Sequence, residues 1–147
     1  MTIQQGWIGV DLDGTLAVYD GWKGIEHIGP PIARTVQYVR YLLYNGIEVR
    51  IFTARVQEGP RAVFHIKKWC REYLGQTLDV TDRKDMNMVC MIDDRALNPL
   101  TNLSWLPDWD LNNWDLIHAP LPPADFIVEA VKGHWSGPMA PPLELKR

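Results

Sequence analysis

No stretch of this 147-residue chain approaches the ~20 consecutive apolar residues that span a bilayer, so no membrane partner is expected. Its first residues, Met1-Thr2-Ile3-Gln4-Gln5, hold neither basic charge nor an apolar run. No secretory signal is therefore expected, and the expected compartment is the cytoplasm. Cysteine is scarce: Cys70 and Cys90 stand far apart without a C-x-x-C spacing, one in an expected helix and one in an expected buried strand, and read as inert core thiols. Positive charge is not in excess either. Fifteen Lys and Arg face eighteen Asp and Glu, for a formal net charge of -3. That argues against broad, sequence-independent binding to a phosphate backbone, so no stable nucleic-acid partner is expected, although a local basic patch stays compatible with it. There is no G-x-x-x-x-G-K-[ST] loop, and His27, His65, His118 and His134 form no H-x-x-x-H pattern, which leaves solvated or packing roles for them. Nothing in the sequence speaks to oligomeric state.

What is present fits a single domain over 1–147. A chain of this length buries about 70% of its unfolded surface, and its 46% hydrophobic and 22% charged residues are those of an ordinary globular protein. Residues 7–11 read as a buried strand, ended by the turn Asp11-Leu12-Asp13-Gly14. Residues 14–30, with Gly21, Gly24 and Gly29, read as a loop or small hairpin. Pro31 suits a first helical position. Ile32, Val36, Val39, Leu42 and Leu43 form an apolar stripe behind it, and Gly46 is a natural stop. A second strand covers Val49–Thr53, a polar loop follows, and a helix runs from about Pro60 to Leu74, closed by Gly75. A short strand is expected around Thr77–Val80, and a buried one at Val89–Ile92. This alternation indicates right-handed βαβ units and a three-layer, Rossmann-like α/β fold with a mostly parallel central sheet. The core is expected over 7–97. Beyond Asn98 lie eight of eleven prolines and four of seven tryptophans. That segment, 98–147, is expected to pack on the core without repeating the βα unit, with one helix over Ala124–Val131 and an extended tail from about 138.

Three of these strands end in polar side chains: Asp11 and Asp13, Thr53, then Asp93 and Asp94. In open parallel sheets, ligands bind beyond the carboxyl ends of the strands. Separate segments thus deliver four carboxylates and a hydroxyl to one edge. Like charges so close need compensation, most simply from a hard divalent cation. An EF-hand loop is excluded, because its sixth position requires Gly and here holds Leu16. Lys84 precedes the last strand and could reach the same crevice, with Arg83, Lys67 and Lys68 as rivals.

The ordered set Val10-Asp11-Leu12-Asp13-Gly14-Thr15, Phe52-Thr53-Ala54-Arg55, Lys84 within Thr81–Asp85, and Met91-Ile92-Asp93-Asp94-Arg95-Ala96 resembles the four motifs of the haloacid dehalogenase-like superfamily. The resemblance covers residues 7–96 and points to its phosphatase branch. It implies Asp11 as the nucleophile that forms an aspartyl-phosphate, and Asp13 as the group that protonates the leaving oxygen and then deprotonates water. It implies Mg²⁺ held by Asp11, the backbone carbonyl of Asp13 and Asp93, with Asp94 binding directly or through water. Thr53 would bond a phosphoryl oxygen, and Lys84 would neutralise phosphate and hold Asp11 ionised. Gly14, Ala54 and Arg55 complete the expected substrate contacts.

Asp13 favours phosphatase over dehalogenase chemistry, since halide leaves without a proton. Only about fifteen residues separate Thr15 from Pro31, too few for a substantial cap, so Trp22, Lys23, Glu26 and His27 would form a small flap. An uncapped site suits a large phosphorylated substrate, or one closed off by a neighbouring subunit or by the Trp-rich segment. Asp20-Gly21-Trp22-Lys23-Gly24 and the Thr81–Ala96 stretch resemble those of small phage and bacterial phosphatase-like proteins, with a layout similar to the 3′-phosphatase domain of phage polynucleotide kinase. The expected activity is Mg²⁺-dependent phosphomonoester hydrolysis on a small molecule or a nucleic-acid end, with polynucleotide 3′-phosphatase and a non-catalytic phospho-ligand binder as alternatives.

Overall fold

A computed structural model describes residues 6–96 and 124–133. The chain divides into two units, Met1–Asp94 and Arg95–Arg147. The first is an α/β fold built as β1 (Trp7–Val10), α1 (Ala33–Tyr44), β2 (Glu48–Phe52), α2 (Pro60–Leu74), β3 (Val80–Thr81) and β4 (Met88–Ile92). Its four strands form one sheet in the order β3-β2-β1-β4, and every pairing is parallel. This is the Rossmann-like class expected from the alternation of apolar runs.

The path β1-α1-β2-α2-β3 steps across the sheet in one direction. Right-handed crossovers therefore put α1 and α2 on the same face, where they pack on each other. The return to β4 reverses direction at β1. All four β1 residues are buried, so both faces of the central strand are covered. Val36, Val39 and Leu42 of α1 and Ala62, Ile66, Trp69 and Cys70 of α2 bury the helical stripes over the sheet. Burial pushes the Cys70 and Cys90 thiols up to about 12, with Cys70 buried in the core and Cys90 half-buried.

Several boundaries move. Pro31 is not the first helical residue. It bridges Ala17, and the Ile32 N–H donates to the Leu16 carbonyl (2.7 Å), which holds residue 32 extended and delays α1 until Ala33. The polar loop after β2 contains a short 3₁₀ helix, Ala54–Glu58, capped by the Thr53 hydroxyl. The stop at Gly75 is as expected, with Gly75 in the left-handed conformation. The strand expected at Thr77–Val80 forms only at Val80–Thr81.

Residues 14–30 form a flap with a closed neck. Ala17 bridges both Asp13 and Pro31, and the Val18 N–H donates to the Pro30 carbonyl (2.8 Å). At Gly29 the two arms approach so closely that any Cβ would collide with the Val18 carbonyl. The Trp69 indole N–H of α2 donates to the Gly29 carbonyl (3.0 Å), pinning the neck to the core. Beyond it, Gly21 and Gly24 have open space around them.

In the second unit, α3 spans Ala124–Val131, as the apolar spacing predicts. The remaining expectations for 98–147, its packing on the core and a tail from about 138, lie outside the described residues. Among the described residues, no helix is long and apolar enough to cross a membrane.

Candidate active site

Val10 is in register with both Ile51 of β2 and Ile92 of β4. The carboxyl ends of β1 and β4 are therefore flush and β2 runs one residue further, so the residues that follow, Asp11, Asp93 and Thr53, emerge at one edge of the sheet. Strand order reverses between β1 and β4, which is where a doubly wound sheet opens a crevice. The Asp11 N–H donates to the Ile92 carbonyl (2.9 Å), extending the ladder one residue past β1 and fixing where its carboxylate starts.

The structure brings Asp11, Asp93 and Asp94 together, with one carboxylate oxygen of each within 4.8 Å of the others. Asp11 and Asp93 are half-buried, and Asp94 is exposed. Burial first, then the negative charge of Asp93, then Asp94 as both hydrogen-bond partner and neighbouring charge, push the Asp11 carboxyl up to about 7. The Leu12 backbone opposes this. Like charges crowded in this way are what a divalent cation would balance. The donors are all oxygens, which suits Mg²⁺ or Ca²⁺ rather than a soft metal. Gly14 shapes the cradle: its φ is +87°, and a Cβ there would lie 2.5 Å from Asp94 Oδ2. The residues therefore fit a hard divalent ion.

Asp13 stands apart from this cluster. Arg55 grips it in a bidentate pair, Nε to Oδ2 at 2.7 Å and Nη2 to Oδ1 at 2.8 Å. The Arg55 side chain is 5% exposed and that of Asp13 19%. Arg55 Nη2 also donates to the His27 carbonyl (3.0 Å), and the guanidinium lies 4.8 Å from the centre of the Trp22 ring. Among the described residues Nη1 of Arg55 is buried with no partner. An orphaned donor there costs about 1–3 kcal/mol unless a ligand takes it. The Arg55 N–H donates to the Thr53 hydroxyl oxygen (3.1 Å), so Thr53, itself buried, orients the segment that carries Arg55 while its own O–H stays available to donate. Ala54 is exposed beside it.

Lys84 is not brought to this edge by any contact. It is exposed and makes no ion pair among the described residues. Its neighbour Asp85 accepts from the Trp7 indole (2.8 Å) and from Arg50 (3.4 Å) at the opposite end of β1. Besides burial, the groups that move the Asp11 carboxyl are Asp93, Asp94 and the Leu12 backbone, and Lys84 is not among them. Among the described residues, the buried cation of this edge is Arg55.

Thr15 was not singled out by sequence reasoning. Its buried hydroxyl lies 3.3 Å from Asp11 Oδ2 and 3.1 Å from Asp94 Oδ1, and it accepts from the Asp94 N–H at 3.0 Å. It thereby ties the end of β1 to the end of β4. A hydroxyl placed four residues after the first Asp, just past a glycine turn, was the available signal.

No protein-family model matches the chain, and no curated protein matches it. A solved structure of a conserved protein from Bacteroides thetaiotaomicron is similar in fold, with a TM-score of 0.51 and 18% identity, covering 90% of this chain and 94% of that one. At that identity the likeness speaks to the fold alone.

Proposed function

We propose that this protein is a phosphomonoester hydrolase of the haloacid dehalogenase-like type, dependent on a divalent cation, Mg²⁺ by the chemistry of its donors. The observation that carries the reading is the crowding of Asp11, Asp93 and Asp94 within 4.8 Å at the switch point of a parallel sheet. Mg²⁺ held by these three would offset their repulsion, keep Asp11 ionised and draw charge from phosphoryl oxygens.

Asp11 attacks phosphorus, the bond to the leaving oxygen breaks, and Asp13 supplies the proton to that oxygen. Water then attacks the aspartyl-phosphate, Asp13 takes its proton, and inorganic phosphate leaves with Asp11 restored as carboxylate. Arg55 Nη1 and the Thr53 hydroxyl are donors for the phosphoryl oxygens. Proton transfer at Asp13 requires one of its two Arg55 hydrogen bonds to open.

The test is hydrolysis of p-nitrophenyl phosphate with Mg²⁺ and with EDTA. Turnover should vanish with EDTA and in Asp11→Asn, whose fold survives. Undiminished turnover by that variant would sink the proposal. The occupation of both Asp13 oxygens by Arg55 favours one second reading, a phospho-ligand binder without turnover. Binding without phosphate release, over a panel of nucleoside monophosphates, sugar phosphates and a 3′-phosphorylated oligonucleotide, would establish it instead. The same panel separates small-molecule from nucleic-acid-end substrates.

A further inference from the structure

Net charge is an average, and on this chain it conceals a separation. Helices α1 and α2 together carry six Lys and Arg, namely Arg34, Arg40, Arg61, Lys67, Lys68 and Arg71, against one acid, Glu72. The rest of the chain is left with nine of its fifteen Lys and Arg and seventeen of its eighteen Asp and Glu. Both helices lie on one face of the sheet and turn their apolar stripes inward, so the cations share the outer side. Five of the six are exposed and Lys67 is half-buried. Apart from the pair of Arg61 with Glu26 (3.1 Å), none of them forms an ion pair among the described residues.

Large aromatic side chains stand among these charges. Tyr44 is 89% exposed and Phe64 64%. Exposed aromatics interleaved with cations that lack ion-pair partners suit one class of ligand. A flexible polyanion with flat, stackable groups uses both features. The face extends about 22 Å along α2, and it begins beside the flap, where Arg61 meets Glu26.

We infer that the outer face of α1 and α2 is a binding track for single-stranded nucleic acid: the cations neutralise phosphates, and Tyr44 and Phe64 stack on bases. The inference rests on charge placement and exposure, and it holds whether or not the site at the sheet edge turns over substrate.

The experiment is fluorescence anisotropy of the full chain with a labelled single-stranded DNA of about 20 nucleotides, in EDTA so that no hydrolysis intervenes. Engaging five cations predicts a slope of log K against log salt near −3.5, about a 130-fold loss of affinity between 50 and 200 mM salt. Lys68→Glu with Arg71→Glu, both exposed, should weaken binding at least about tenfold and lower the slope by about 1.4. Arg83→Glu with Lys84→Glu makes the same change of net charge off this face and should leave affinity within about twofold. Thermal melts of both variants confirm that each is folded. Equal losses in the two variants, a slope near zero, or preferential binding to vesicles of anionic phospholipid would each overturn the proposal.

Discussion

Replacing Arg55 with Met tests whether the Asp13 clamp is held by charge rather than by packing. Breaking a buried ion pair from one side costs about 3–5 kcal/mol. Asp13 is 19% exposed, so water recovers part of that, and about 2–3 kcal/mol remains. Loss of the charged hydrogen bond to the His27 carbonyl adds about 1.5–3 kcal/mol, and removal of the unpartnered Nη1 returns about 1–3 kcal/mol. The net expectation is a destabilisation of about 2–3 kcal/mol, or roughly 8 °C in Tm for a chain of this length. Urea denaturation followed by circular dichroism measures it. The decisive comparison is the cycle with Asp13→Asn. Each single change strands a partner, and the double change strands none, so the double variant should be more stable than the sum of the singles by about 2 kcal/mol. Additive losses would refute the clamp and leave Arg55 as packing material only.

Four further outcomes follow from the same edge. In EDTA, stability should fall as pH rises from about 4 towards 7, because folded Asp11 titrates near 7 and keeps its proton where the unfolded chain has already released it. Urea midpoints at pH 5 and pH 7.5 read this slope, and Asp11→Asn should flatten it. By the same linkage Mg²⁺ should stabilise the protein more at pH 7.5 than at pH 5, as thermal melts with and without the ion will show. Gly14→Ala forces a Cβ against Asp94 at a backbone angle that disfavours it, and should weaken Mg²⁺ at least about tenfold by titration calorimetry, with about 1 kcal/mol lost in stability. Lys84→Ala should leave p-nitrophenyl phosphate turnover within about twofold, as an exposed side chain without a partner implies; a hundredfold fall would return it to the site.

The strands and the carboxylates they deliver were legible because both depend on local pattern. Short apolar runs before Asp11, Thr53 and Asp93 announce strands, and parallel register brings their ends to one edge. What sequence could not express is pairing across the fold. Arg55 was read as a substrate contact from its place beside Thr53, but its grip on Asp13 spans 42 residues and depends on the 3₁₀ turn that aims it. Thr15 bridges 79 residues to Asp94. Lys84 was read from order along the chain, and among the described residues no ion pair ties it to the carboxylates. The link from β3 to β4 carries no helix, and Asp85 is drawn to Trp7 at the far end of the central strand. Pro31 misled because its bridge to Ala17 outweighed its helical preference.

The neck of the flap has a consequence for how such a protein can change. Its two arms are latched at Ala17–Pro31 and at Val18–Pro30, and Trp69 anchors the latch to the core. At Gly21 and Gly24, at the tip of the flap, an added Cβ would meet nothing within 4 Å, and between them Trp22 meets Arg55. Doubling a loop costs only about 0.6 kcal/mol in closure entropy. The tip is therefore a graft point, where a new module can be spliced above the carboxylates without disturbing the sheet that positions them.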